Sequence, residues 1–181
     1  PMARTLEHRR TTEMSSRDAR FTTIDTPLGG VVIAATGDAI TGLYFVDQRH
    51  RPDLGLHVVA DTLLDTTSTQ LIDYLAGKRT DFDIPVQTFG DPFREAVWAA
   101  LREIPYGTTT TYGAVAAAIG APRQAQRVGQ AVGRNPVGIV IPCHRVVGAD
   151  GSLTGYAGGL DRKRRLLELE EPAEITASRL F

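Results

Sequence analysis

Short apolar runs separated by turn residues open the patterned part of the chain: Phe21 to Asp25, Gly30 to Ala35 after Pro27, and Ile40 to Phe45 after Gly37-Asp38. Runs of this length, bounded by Gly, Pro and Asp, predict three strands in a small antiparallel meander. The period then changes. Leu64, Leu71 and Leu75 share a helical stripe, so a helix is expected within Ala60 to Leu75, with Gly77 as its stop. A fourth strand is expected near Asp81 to Ile84. From Pro92 onward the spacing is helical. Asp91 and Pro92 make an N-cap and first-turn pair, and Phe93, Val97, Ala100, Leu101 and Ile104 recur at helical intervals until Pro105-Tyr106-Gly107. Thr111 can cap a second short helix that stops at Gly120, with Tyr112, Val115, Ala116 and Ile119 on one face. Pro122 is expected to open a third. Its apolar face is Ala125, Val128, Gly129 and Val132, and its other face carries Arg123, Gln124, Arg127, Gln130 and Arg134. Two short helices joined by a tight Gly-Ala-Pro turn, the second basic outward, form a helix-turn-helix pattern. By itself the pattern does not separate a DNA reader from ordinary helix packing.

The expected fold is α/β. A small antiparallel sheet with a helix occupies residues 20–88, and a mostly helical unit containing the helix-turn-helix occupies 91–175, with the boundary at Thr88 to Pro92. Residues 1–19, polar and Arg-rich, are expected to be a disordered tail.

With 181 residues, 42% hydrophobic and 23% charged, disorder is not the default reading. The net charge of -1 hides an uneven distribution. Residues 53–91 carry seven aspartates against Lys78 and Arg79, a net of -5, whereas residues 120–165 carry seven arginines and Lys163 against Asp150 and Asp161, a net of +6. A basic face of that kind attracts phosphates. No apolar run approaches the roughly 18 to 20 residues that span a bilayer, and no apolar signal core stands near the amino terminus. A cytoplasmic protein with no membrane partner is expected. Cys143 is the only cysteine, which excludes an intrachain disulfide and a multi-thiolate metal site. Either it is an ordinary buried residue or its thiol is used.

Asn135 to Val147 reads NPVGIVIPCHRVV, an apolar strand-like run that stops at Pro142 and delivers Cys143, His144 and Arg145. Neighbouring side chains of a strand face opposite ways, so Cys143 and His144 can cooperate only if Pro142 forces a turn. A thiolate is the reactive form of cysteine, and a nearby base makes it available. The alternative, a buried cysteine beside an unrelated histidine, stays open. On the last helix Leu160, Leu166 and Leu167 mark a core-facing stripe, and Glu170 lies on that face, where a carboxylate needs a partner. Lys163, on the same face, is one candidate; a histidine base in need of orientation is the other. Gly155-Tyr156-Ala157-Gly158-Gly159 allows backbone to approach a ligand closely, or is an ordinary loop.

Ile141-Pro142-Cys143-His144-Arg145-Val146, preceded by Asn135-Pro136 and followed by Gly155-Tyr156-Ala157-Gly158-Gly159-Leu160, resembles the O6-alkylguanine-DNA alkyltransferases, also called methylated-DNA-protein-cysteine methyltransferases. The likeness runs from about Pro92 to Glu170 in order and spacing. It implies DNA repair by direct reversal: the alkyl group on O6 of a damaged guanine passes to Cys143, once and irreversibly. His144, acting through a water, matches the base that takes the thiol proton, Glu170 the residue that orients it, and Asn135 the residue that holds the turn. Tyr112 matches the tyrosine near the flipped base and its phosphate, or else is a plain core aromatic. Val146, Tyr156 and Ala157 match the guanine pocket. The base must leave the duplex to react, and the family's recognition helix enters the minor groove, where Gly129, Ala131 and Gly133 are suitably small. The implied partner is duplex DNA carrying O6-alkylguanine, bound by a monomer through Arg123, Gln126, Arg127, Gly129, Gln130 and Arg134. No cofactor is implied.

One departure stands out. The family places an arginine two residues before the Val-Gly of this helix to fill the gap left by the flipped nucleotide; here that position is Gln126, and Arg127 lies about 100° further around. Either Arg127 reaches the stack from a shifted angle, or Gln126 is a weaker plug, which is the reading favoured. Larger family members can carry zinc in the first unit, but His8, His50 and His57 have no cysteine partner, so no metal is expected. Gly138 and Ala157 are small enough to suggest room for groups larger than methyl. Two rivals remain: a non-catalytic sensor of alkyl lesions, which Cys143 argues against unless its base relay is broken, and a Cys-His hydrolase or transferase, which leaves the basic helix pair unexplained.

Overall fold

Three strands form where the alternation places them: β1 (Ala19–Thr26), β2 (Gly29–Thr36) and β3 (Ala39–Phe45), an antiparallel sheet in the order β1-β2-β3. The structure, a computed structural model, describes residues 19–53 and 61–172. The tail expected over 1–19 therefore lies outside the described residues except for Ala19, which already belongs to β1; His8, His57 and residues 173–175 also lie outside them. The central strand β2 is buried on both faces. Val31, Ile33 and Ala35 point into the main core, and Val32 and Ala34 point the other way into a small cluster with Phe21, as a two-residue period requires.

Helix α1 (Thr62–Leu75) packs on the sheet and is capped by Asp61, whose Oδ1 accepts from Leu64 N at 3.0 Å. Its buried stripe is Leu64, Thr67, Leu71 and Tyr74; Leu75 is only partly buried. Asp81 to Ile84 do not form a strand. Instead Val86 makes a single bridge to Ile40, with Ile40 N donating to Pro85 O and Gln87 N to Ile40 O. Phe82 and Ile84 serve as core side chains there rather than as a ladder.

Helix α2 (Pro92–Arg102) is capped by Asp91, and α3 (Tyr112–Ala118) by Thr111, whose Oγ1 accepts from Ala114 N at 3.1 Å. The third helix does not begin at Pro122. Residues 121–124 form a turn, and α4 runs Ala125–Val132. Its buried face is Val128, Ala131 and Val132, and Trp98 Nε1 on α2 donates to Ala131 O at 2.9 Å. Ala131 thus lies in the core beneath Trp98 and cannot face DNA; Gly129 and Gly133 are the partly exposed small residues. A two-stranded parallel pair, β4 (Thr110–Thr111) and β5 (Val146–Val147), precedes the last helix, α5 (Leu160–Glu170). One continuous core joins the sheet, α1 and the helical half. Among the described residues, no helix is long and apolar enough to cross a membrane.

Candidate active site

The run from Asn135 to Val147 forms no strand before Val146. It bonds to Leu43 of β3 through Pro136 O and Gly138 N, and Asn135 holds the rest: its Oδ1 accepts from Val137 N at 3.0 Å and its Nδ2 donates to Ile141 O at 2.8 Å, closing a loop around Ile139, which sits at φ +69°. A β-branched residue in that left-handed region is strained, and it persists because the surrounding bonds fix it. Pro142 then leads into a 3-10 turn over Cys143–Arg145, which lets these neighbours cooperate as a strand could not.

The buried face of α5 is Lys163, Leu166 and Glu170; Leu160 is exposed and Leu167 only partly buried, so the expected leucine stripe is rotated. The two polar members of that face serve different partners. Glu170 Oε1 takes His144 Nε2 at 2.7 Å and Arg145 Nη2 at 2.9 Å, while Oε2 takes Arg145 Nε at 2.8 Å and Gly107 N at 3.2 Å. The Tyr74 hydroxyl also donates to Oε1. Lys163 is not its partner. Its ammonium donates to Val146 O at 2.6 Å and Thr154 O at 2.7 Å, and Tyr112 Oη meets the same Thr154 carbonyl at 3.1 Å.

These contacts fix the charge states. Burial pushes the Glu170 carboxyl up, but the hydrogen bonds from His144 and Arg145 outweigh it and hold it at about 2. Burial keeps His144 below its ordinary range and therefore neutral. With Nε2–H committed to Glu170, Nδ1 is the ring's acceptor, and it is enclosed without a hydrogen-bond partner among the described residues. Burial also pushes the Cys143 thiol up, with Asn135 and the Lys163 charge pulling the other way, so the resting thiol keeps its proton. Lys163 is brought down by burial to about 8.

Cys143 is 6% exposed. It lies close enough to Tyr156 that, beyond the larger effect of burial, its thiolate once formed raises that phenol further. Tyr156 and Ala157 line an open groove of about 860 Å³. Tyr112, the α4 residues Gln126, Gly129 and Gln130, and Gly133 and Arg134 just after that helix line it too, and no aspartate or glutamate does.

The structure thus brings Cys143, His144, Glu170 and Asn135 into one buried cluster and places Tyr112, Tyr156 and Ala157 at the groove. Val146 is fully buried, and its carbonyl is the atom bound by Lys163. Arg123 is exposed and does not line the groove. Neither does Arg127, whose guanidinium lies 3.8 Å over the Phe93 ring and donates to Gln124 Oε1 at 3.0 Å. Of the two adjacent residues, Gln126 is the one in the groove. Gly138 is packed against β3, donating to Leu43 O at 3.1 Å, with an added Cβ 3.3 Å from that carbonyl, and it does not line the groove. Sequence reasoning missed Tyr74 and Arg145 on Glu170, the true partners of Lys163, and Arg49, His50 and Arg94 in the groove. Tyr74 had a signal: it stands three residues after Leu71 on the helix stripe, where a phenol needs a buried acceptor.

The chain resembles known proteins over most of its length. Residues 19–88 match the family model described as 6-O-methylguanine DNA methyltransferase, ribonuclease-like domain, and residues 92–172 the one described as 6-O-methylguanine DNA methyltransferase, DNA binding domain. A methylated-DNA–protein-cysteine methyltransferase of Mycobacterium tuberculosis is 44% identical over 159 residues, covering 86% of this chain and 96% of its own. The constitutive methylated-DNA–protein-cysteine methyltransferase of Bacillus subtilis is 41% identical over 156 residues, covering 83% and 94%. The crystal structure of Mycobacterium tuberculosis OGT in complex with DNA is similar at a TM-score of 0.76 and 45% identity, covering 87% of this chain and 98% of that one.

Proposed function

The chain belongs to the methylated-DNA–protein-cysteine methyltransferase family, which places it among enzymes of DNA repair by alkyl transfer, and from that premise we propose how its own residues perform the reaction. Residues 91–175 carry the chemistry and residues 20–88 support them. Duplex DNA lies along the groove with α4 in its minor groove, and the O6-alkylguanine is flipped out past Tyr112 toward Tyr156, Ala157 and the Val146 backbone. Gln126 stands at the gap the base leaves. His144 Nδ1 takes the Cys143 proton through a water, and Sγ attacks the alkyl carbon. The S–C bond forms as the C–O6 bond breaks, the electron pair stays on O6, and guanine regains at N1 the proton the thiol gave up. A thioether has no good leaving group, so each molecule acts once. The protein works as a cytoplasmic monomer.

The observation that carries this reading is the chain's single thiol, almost buried near Tyr156, which lines a groove free of carboxylates, and followed by a histidine held by Glu170 at one nitrogen and unpartnered among the described residues at the other. The intact His144–Glu170 contact weighs against the sensor reading, which needs a broken relay. Mixing the protein with excess duplex containing O6-methylguanine and counting repaired guanines tests it. One repair per molecule is expected, and none for Cys143→Ala, which keeps its binding to damaged duplex. Repeated turnover, or repair by Cys143→Ala, overturns the mechanism.

A further inference from the structure

One wall of the groove comes from the sheet half of the chain. After β3 the backbone turns tightly, with Gln48 N donating to Phe45 O at 3.1 Å and Phe45 N to Gln48 Oε1 at 2.8 Å. Arg49 N then donates to Ala157 O at 3.2 Å, which ties the loop to the rim of the base pocket, and His50 follows in the left-handed region at φ +62°. The side chains of Arg49 and His50 line the groove opposite α4 and are exposed. Asp47, the acid of this turn, is engaged by Arg162 at 2.7 Å, and among the described residues no carboxylate pairs with Arg49.

We infer that Arg49 is a phosphate-binding residue of the DNA interface, so that the duplex is gripped between the helix-turn-helix and a loop of the sheet half rather than by the helical half alone. The inference rests on the reading of the groove as the DNA site. Three features converge on a phosphate. The groove holds the cations Arg49, Arg94 and Arg134 and no acid, although the chain carries 21 acidic residues. The guanidinium is a fork that matches phosphate oxygens in pairs. The loop is anchored by backbone bonds at Gln48 and Arg49, so ordering it on binding adds little cost. Because Arg49 is bonded through its amide to Ala157, a phosphate held there is also held at a fixed distance from the base pocket. That registers the flipped nucleotide against Cys143. Arg127, stacked on Phe93, is replaced in this role by a residue far away in sequence.

The test is the salt dependence of duplex binding by fluorescence anisotropy, with the full chain, on one duplex carrying O6-methylguanine and one without it. Each phosphate contact contributes a slope of about 0.9 in log K against log salt, so between 50 and 200 mM it accounts for a factor of roughly 3.5. Arg49→Ala is expected to lower the slope by about that amount and to weaken both duplexes equally, since a phosphate contact reads no sequence. Arg165→Ala removes the same charge from the exposed side of α5 and is expected to keep the wild-type slope. Unfolding midpoints confirm that both variants are folded. A wild-type slope for Arg49→Ala and Arg49→Glu, with wild type binding duplex in a salt-dependent way, overturns the inference alone. Salt-independent binding by wild type overturns the reading of the groove and the inference with it.

Discussion

Replacing Glu170 by glutamine keeps the shape of the side chain and removes its charge. Glu170 is 2% exposed and accepts from His144, Arg145, Tyr74 and Gly107 together. Held at about 2 against an ordinary 4.5, the carboxyl stabilises the folded state by roughly 3 kcal/mol at neutral pH. Removing one partner of a buried ion pair gives a similar figure, about 3 to 5 kcal/mol, because Arg145 is left with no counter-charge. The sign follows from the depressed value: the contribution is complete above pH 5 and is lost as pH falls toward 2, with roughly 2 kcal/mol gone by pH 3. Urea unfolding of wild type and Glu170→Gln at pH 7, 5, 4 and 3 reads this directly. The stability gap is expected to be about 3 kcal/mol or more at pH 7 and to narrow steadily below pH 5. Alkyl transfer falls as well, by about 10²- to 10⁴-fold, as the His144 tautomer is no longer set. A gap under about 1 kcal/mol, or one that stays constant down to pH 3, refutes the account of this network.

Other perturbations separate binding from stability. A Cβ at Gly129 would sit 3.6 Å from the Tyr112 ring, an ordinary contact, so Gly129→Ala is expected to raise the unfolding midpoint slightly by helix propensity, yet to weaken duplex binding; unchanged affinity removes α4 from the minor groove. At Gly158 a Cβ would meet Phe45 at 2.7 Å and Tyr156 at 2.8 Å, so Gly158→Ala should cost about 1 to 3 kcal/mol and slow transfer by displacing Tyr156. Wild-type denaturation and rate contradict that. Gln126→Arg is expected to speed transfer on duplex by filling the gap better; unchanged rate and affinity dispose of the weak-plug reading. Alkylated Cys143 adds atoms within the main core, so the alkylated protein should melt at a lower temperature than the free one, and a higher midpoint counts against it.

Where local chemistry dictated structure, the sequence was readable. The caps Asp91 and Thr111 and the β1 to β3 alternation depend on residues a few positions apart, and all are present as expected. Failures came where long-range contacts override local pattern. On α5, Lys163 and Glu170 stand on the inner face as expected, but Leu160 and Leu167 do not, because that face is turned toward partners that no helical wheel displays: Val146 and Thr154 for Lys163, and His144, Arg145 and Tyr74 for Glu170. Pro122 suggested a helix start, but the chain needs residues 121–124 to turn before α4. Arg127 reads as an outward base on periodicity alone, and only the fold reveals Phe93 beneath it. Arg49 carries no periodic signal whatever, since it lies in a loop whose position is set by Ala157, far along the chain.

Direct location of the transferred group tests whether Cys143 is the alkyl acceptor. After reaction with excess O6-methylguanine duplex, the protein is digested and the peptide carrying Cys143 is weighed and fragmented. One methyl in place of one hydrogen is expected on Cys143 Sγ in every molecule, with nothing added elsewhere. Repaired DNA with an unmodified Cys143, or a methyl on any other residue, contradicts it.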